Sequence, residues 1–368
     1  MSNNILNIIE PTLYNLAGHG YSYVSQVAKS ASENGHTTHV WMDKRDPLLL
    51  KELAITTHPW FSRKFRQVQK IILYYQLIKK SQIIYICTSE LWDIKILSFL
   101  TNWLDPQARI ICHFHQFKVQ TKKIRSLKKI AKSSPNISIF TPTERLKNIF
   151  SHSGFRKVYD VPCPSYPPPT IKSQTSKIEP TIIYAGAARA DKGFPKIIDV
   201  IKLAHKINLD IKFHIQASKP NSNRYDEATQ IAVDKLLSLS KNNRLQIIDQ
   251  TLTQLQYQDL FYNSIALLLY DQSLYENKFS GVMLDAIYAH CPVITTKNTW
   301  MGDVTEKYGI GISISIQEQT PTKIINAIRL IKDNYQQYLQ KTVIAAALLK
   351  QDHNPINTIN TIEKAVNT

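Results

Sequence analysis

Short apolar runs recur along the chain, and between them the apolar positions repeat every three or four residues. Residues 267–301 show the unit most fully. An apolar run closes at 267–270 and reads as a buried strand. Val282, Met283, Ala286, Ile287 and Ala289 then fall on one helical face within 279–290, Cys291-Pro292 stops the helix, and β-branched 293–296 forms the next strand. Strand, loop, helix, strand is the signature of a parallel crossover. The same alternation opens the chain: a strand at 5–10, a loop at 11–20, a helix over 21–34 ended by Gly35, and a strand at 37–42. It continues with helical spacing at 60–80, strands at 82–87 and 109–113, a helix at 144–153 and a strand at 158–161. A second series starts at 181–184 and runs on through strands at 211–217, 245–249 and 309–314. The expectation is an α/β chain of two doubly wound, Rossmann-like domains.

Ligands of such sheets bind outside the carboxyl ends of the strands, where a loop feeds a helix start. Three loops carry suitable chemistry. Residues 270–281 present Ser280-Gly281 before a helix, and Asp285 lies about one turn inside it. Residues 185–194 put small residues and two cations, Arg189 and Lys192, before a helix, which suits a diphosphate. The first strand is followed by Gly18-His19-Gly20, a weak signal alone because glycine also serves tight turns. His115 follows the strand at 109–113, where it reads either as a substrate contact or as a satisfied histidine.

At 368 residues the chain is too long for one small core. Its net charge is +17, and the excess sits in the first half: 23 cations against 10 acids over 1–165, but 22 against 18 over 166–368. Most of the concentration lies in Lys118, Lys122, Lys123, Arg125, Lys128, Lys129 and Lys132, interleaved with Val119, Ile124, Leu127 and Ile130. That pattern fits an amphipathic helix on anionic lipid, or a solvated charged face over an ordinary apolar stripe. It lacks the stacking aromatics of a nucleic-acid site, so no nucleic-acid partner is expected. Cys87, Cys112, Cys163 and Cys291 are widely spaced and form no zinc motif, so neither a metal site nor a disulfide framework is expected. The N-terminal segment lacks a basic, apolar leader, and no run approaches a membrane span. A cytoplasmic protein is expected, with at most a peripheral contact at the inner face of the membrane through 118–132.

These residues carry a resemblance to the family 4 glycosyltransferases, enzymes of the two-domain GT-B fold. Phe279-Ser280-Gly281, Asp285-Ala286 and Cys291-Pro292-Val293-Ile294 resemble the donor-binding segment of the family, where two Glu residues are separated by seven others. Asp285 stands at the second acid; Asn277 stands at the first, with Glu276 one place earlier. Gly186 and Lys192-Gly193 resemble the segment whose Arg and Lys hold the donor diphosphate, although Ala187 follows the Gly and Arg189 comes two places later. Pro162-Cys163-Pro164 resembles the interdomain linker, and Gly18-His19-Gly20 the loop near donor phosphate and acceptor.

The resemblance implies a sugar moved from a nucleotide-sugar donor to an acceptor hydroxyl, glycan or lipid-linked, in envelope polysaccharide synthesis. Configuration would be retained, with no metal and no cofactor beyond the donor. It places the donor on Gly18, His19, Gly20, Gly186, Arg189, Lys192, Gly193, Glu276, Phe279, Ser280, Gly281 and Asp285, and the chemistry on His115, Lys192, Arg189 and Asn277. The expected domains are 1–165 on the acceptor side, a proline-rich linker at 166–179, a donor domain at 180–345 and a final helix at 346–368 crossing back. The two domains would face each other across a cleft. An epimerase-like enzyme of the same fold and a non-catalytic sugar- or membrane-binding relative remain as rivals.

Overall fold

The computed structural model describes residues 5–15, 19–165, 179–219, 224–250 and 252–367, the side chains of 19 and 254 excepted. Gly18 and 166–178, most of the expected linker, lie outside them. Contacts divide the chain into two compact units, Met1–Tyr166 with Gln351–Thr368, and Pro167–Lys350.

The first unit holds seven parallel strands: β1 (Ile5–Ile9), β2 (Thr37–Asp43), β3 (Thr56–Phe61), β4 (Ile83–Ile86), β5 (Ile110–His113), β6 (Ser138–Thr141) and β7 (Val158–Asp160). Their order is β3-β2-β1-β4-β5-β6-β7, so the direction of winding reverses between β1 and β4. Helices α1 (His19–Glu33), α2 (Arg66–Lys79), α3 (Leu91–Leu104), α4 (Thr121–Ser133) and α5 (Glu144–His152) make the crossovers. β4 and β5 are buried end to end, as strands covered on both faces must be. A buried polar knot ties α2 to α3: Lys70 Nζ and Tyr74 OH each donate to Asp93 Oδ1 at 2.8 Å. Asp93 Oδ2 also accepts from the Glu90 amide and caps α3.

Sequence spacing assigned a helix to 60–80, but the structure begins that stretch with β3 and starts α2 at Arg66. Thr56, Thr57, Trp60 and Phe61 are strand formers, and β3 lies at the sheet edge, where proline is tolerated. α1 begins at His19, two residues before the expected start.

The second unit holds six parallel strands: β8 (Thr181–Tyr184), β9 (Phe213–Gln216), β10 (Leu245–Ile248), β11 (Ser264–Leu268), β12 (Val293–Thr296) and β13 (Gly311–Ile314). The order β10-β9-β8-β11-β12-β13 reverses between β8 and β11. Between them run α6 (Phe194–Lys206), α7 (Glu227–Ser238), α8 (Gln254–Phe261), α9 (Gln272–Tyr275), α10 (Gly281–Tyr288) and α11 (Trp300–Tyr308), and α12 (Pro321–Asp333) follows β13. Separate apolar clusters cover the two faces of this sheet. α13 (Tyr335–Asp352) follows, and α14 (Pro355–Asn367) packs on α1 in the first unit, where His36 Nε2 and Glu363 Oε1 meet at 3.1 Å.

Candidate active site

The winding reversal of the second sheet is where a ligand is expected, and the cations expected from sequence gather there. The loop after β8 turns at Gly186, whose φ is +99° and whose amide donates to Gln216 Oε1 at 2.6 Å. Residues Ala190–Lys192 form one 3-10 turn, which ends at Gly193 in the left-handed region. A Cβ on Gly193 would lie 2.2 Å from the carbonyl oxygen of Leu269, so only glycine lets this loop meet the end of β11. The Asp271 amide donates to the Asp191 carbonyl at 2.8 Å, which joins the two loops. Lys192 Nζ then comes within 3.6 Å of where a Gly186 Cβ would be, and sits 5.5 Å from the Tyr270 ring centroid.

Three cations crowd this corner. Burial, then repulsion from Arg189, pulls the Lys192 ammonium down to about 8. Lys278, absent from the sequence-based site, is lowered by burial and by Arg189, and lies 4.9 Å from the Tyr275 ring. Arg189 is not a free anion clamp: its Nε and Nη2 form a two-pronged pair with Asp191 at 2.8 and 2.5 Å. Asp285 stands one turn into α10, where burial raises its carboxyl to about 6 against the pull of Tyr257 and Lys192. Tyr257 OH, from α8, donates to Asp285 Oδ2 at 3.2 Å. Ser280 occupies the N-cap position of α10, and both it and Gly281 are buried. The Phe279 ring meets Trp300 at a tilt of 53°, with centroids 4.8 Å apart. Asn277 is half-buried in the connection to α10, and Glu276 ends α9 with an exposed side chain.

The remaining sequence-derived residues belong to the first unit. His19 and Gly20 open α1. His115, two residues past β5, lies among aromatic and sulfur groups: its ring is 5.0 Å from Tyr23 and 4.6 Å from His113, and its Nδ1 is 3.6 Å from Cys163 Sγ. The wide spacing of the cysteines concealed this grouping, since Cys163 reaches His115 only after β6, α5 and β7 bring the chain back. Sequence reasoning also missed Lys278, although it directly precedes Phe279 in the stretch that carried the resemblance. It missed Tyr257 and Tyr270 because apolar packing and site lining use the same residue type.

The cationic helix α4 resolves one ambiguity. Leu127, Ile130 and Ala131 are buried in the core of the first unit, so its apolar stripe faces inward. Lys118, Lys122, Arg125, Lys128, Lys129 and Lys132 remain exposed. Beside it, α3 turns Phe99 and Trp103 outward, each 68% exposed. Among the described residues, no helix is long and apolar enough to cross a membrane.

No family model and no curated protein matches the chain. Solved structures do match over its whole length. HepE of Anabaena in complex with UDP is 12% identical with a TM-score of 0.72, covering 99% of both chains. A glycosyltransferase from Rickettsia africae is 14% identical with a TM-score of 0.72, covering 100% of this chain and 99% of that one. An alpha,alpha-trehalose-phosphate synthase (UDP-forming) from Burkholderia vietnamiensis is 10% identical with a TM-score of 0.66, covering 99% and 97%. At such identities the likeness is one of fold: two parallel-sheet, Rossmann-like α/β units of the GT-B type.

Proposed function

We propose that the chain is a glycosyltransferase that moves a sugar from a nucleotide-sugar donor to a hydroxyl of a glycan or lipid-linked acceptor. The observation that carries this reading is the group of Lys192, Lys278 and Arg189 at the winding reversal of the second sheet. Two of the three are held below their ordinary values by burial and mutual repulsion. Clustered cations that lack enough acid partners fit an anion, and a diphosphate matches both their number and the small-residue loop at Gly186. As the glycosidic bond breaks, negative charge grows on the leaving diphosphate, and Lys192 and Lys278 stabilise it without a metal there. Arg189 orients the loop through Asp191 and adds its charge. Asp285, ionised at neutral pH and fixed by Tyr257, accepts from the ribose hydroxyls. His115 contacts the transferred sugar. Retention of configuration follows from the family resemblance.

Two structures of similar fold were crystallised with UDP or UDP-glucose, which makes uridine donors the first to test. The exposed cations of α4, with Phe99 and Trp103 beside them, fit a peripheral contact with anionic lipid, where lipid-linked acceptors reside. Calorimetry against UDP, GDP, ADP and their common sugars, on wild type and Lys192→Ala, tests the donor site. Saturable binding weakened at least tenfold (about 1.4 kcal/mol) by the substitution is expected. Asn277 at the first acid position favours one second reading, a binding-only relative. Donor binding without turnover under any acceptor would select it, and no nucleotide binding at all would sink the transferase and leave the binding-only relative.

A further inference from the structure

The first unit contains a cluster that the donor reading uses only through His115. His113, His115 and Cys163 each offer a ligand atom, and these atoms all lie within 4.8 Å of one another. In a tetrahedral site with bonds of about 2.0–2.3 Å, neighbouring ligand atoms are about 3.3–3.8 Å apart. The 3.6 Å between Cys163 Sγ and His115 Nδ1 already has that value.

The second observation concerns His113, which is fully buried. Its Nδ1 lies 2.6 Å from Tyr23 OH and 2.8 Å from Tyr85 OH, and the two phenols also hydrogen-bond each other. Its Nε2 is buried with no partner in hydrogen-bonding geometry, although the Val161 backbone is near. A buried ring nitrogen left without a partner is costly, so the site is poised to take one. If Nδ1–H donates to a tyrosine oxygen, Nε2 keeps a bare lone pair. A metal-bound histidine has this arrangement, its outer N–H held by a second group. Cys163 is fixed as well: its carbonyl meets His353 Nδ1 at 2.7 Å, and Pro162 and Pro164 stiffen its backbone.

We propose that His113 Nε2, a ring nitrogen of His115 and Cys163 Sγ form a three-ligand site for a thiophilic divalent cation of the zinc class, with its fourth position open. Binding displaces the thiol proton to solvent and leaves a thiolate on the metal. The other ring nitrogen of His115 then carries a proton it can donate to a hydroxyl. Two histidines and one cysteine are a borderline-soft donor set, which selects zinc or cobalt over magnesium or calcium.

The test is titration of the full-length, chelator-treated protein with cobalt(II), followed by zinc competition. One equivalent should bind with a thiolate-to-cobalt charge-transfer band and the visible bands of a tetrahedral site, and zinc should abolish both. Cys163→Ser should lose the charge-transfer band and at least tenfold in affinity. His115→Ala, a change at a half-buried side chain, should lose at least tenfold while keeping the band. A His39→Ala/His58→Ala variant, which breaks the other histidine pair, should bind as wild type does. Circular dichroism confirms the fold of each variant. Cobalt bound without a thiolate band, affinity unchanged in Cys163→Ser, or loss in the His39/His58 variant instead would each overturn the proposal. None of these readouts depends on nucleotide binding, so the metal site and the donor site fail separately.

Discussion

Lys192→Met should act in opposite directions on stability and on ligand binding. Burial moves the ammonium from 10.5 to about 8. That fall corresponds to about 3 kcal/mol of preference for the neutral form in the folded protein. The sign follows from proton counts. Below about pH 8 both states carry the charge and the folded state bears the whole cost. As pH rises from 8 towards 10.5 the folded state loses its proton first, so stability increases across that window. Methionine keeps the length and removes the charge. It also loses the contact with Tyr270, and solvent reaching the half-buried side chain already offsets part of the cost of burial. The expected net gain is therefore nearer 1–2 kcal/mol at pH 7, and smaller at pH 10. Denaturant-dependent hydrogen exchange over 264–296 reads this in the second unit alone. Calorimetry on the same protein should show UDP or GDP affinity at least tenfold weaker. A variant that is less stable at pH 7 and binds nucleotide unchanged would make Lys192 a structural residue and refute the diphosphate site.

Asp285→Asn should also stabilise the ligand-free protein. The folded carboxyl is raised from 3.8 to about 6, so stability declines as pH rises through that window. The gain should approach about 1–3 kcal/mol at pH 7 and vanish near pH 4 in urea unfolding, while nucleotide affinity falls. Gly193→Ala places a Cβ 2.2 Å from the Leu269 carbonyl oxygen in a left-handed backbone, and should cost more than about 3 kcal/mol. Asp93→Ala strands Lys70 in the core and should cost about 3–5 kcal/mol, seen as a lowered melting temperature; a change under 1 kcal/mol would mean the knot is solvated. Lys122→Glu/Lys128→Glu/Lys129→Glu should abolish cosedimentation with vesicles rich in anionic lipid without altering nucleotide binding; unchanged cosedimentation would remove α4 as the contact.

The alternation of strand and helix was legible because fully covered parallel strands read as continuous apolar runs and crossover helices as one-sided stripes. β4, β5, β11 and β12 are such strands. Where an edge strand is half-exposed, as at β3, the pattern weakens and the following helix absorbed it. The loops that hold Gly186, Lys192, Gly193, Ser280 and Asp285 were legible for a related reason. A tight turn or a close approach of backbone to backbone, as at Gly193, restricts residue type locally, and such restrictions show in short spacings.

Sequence by itself determined the layered α/β architecture and the loops at strand ends. Tertiary structure alone decided which charges meet. Asp191 engages Arg189 through both of its carboxylate oxygens, a pairing that depends on side-chain direction around one 3-10 turn. It also decided that α4 turns its apolar stripe inward. Cys163, 48 positions after His115, reaches the end of β5 only because β6 and β7 extend the sheet beyond it and bring the chain back. Contacts closed by the path of a sheet leave no local trace in composition or period, because strand order, and not the sequence neighbours of either residue, brings the two groups together.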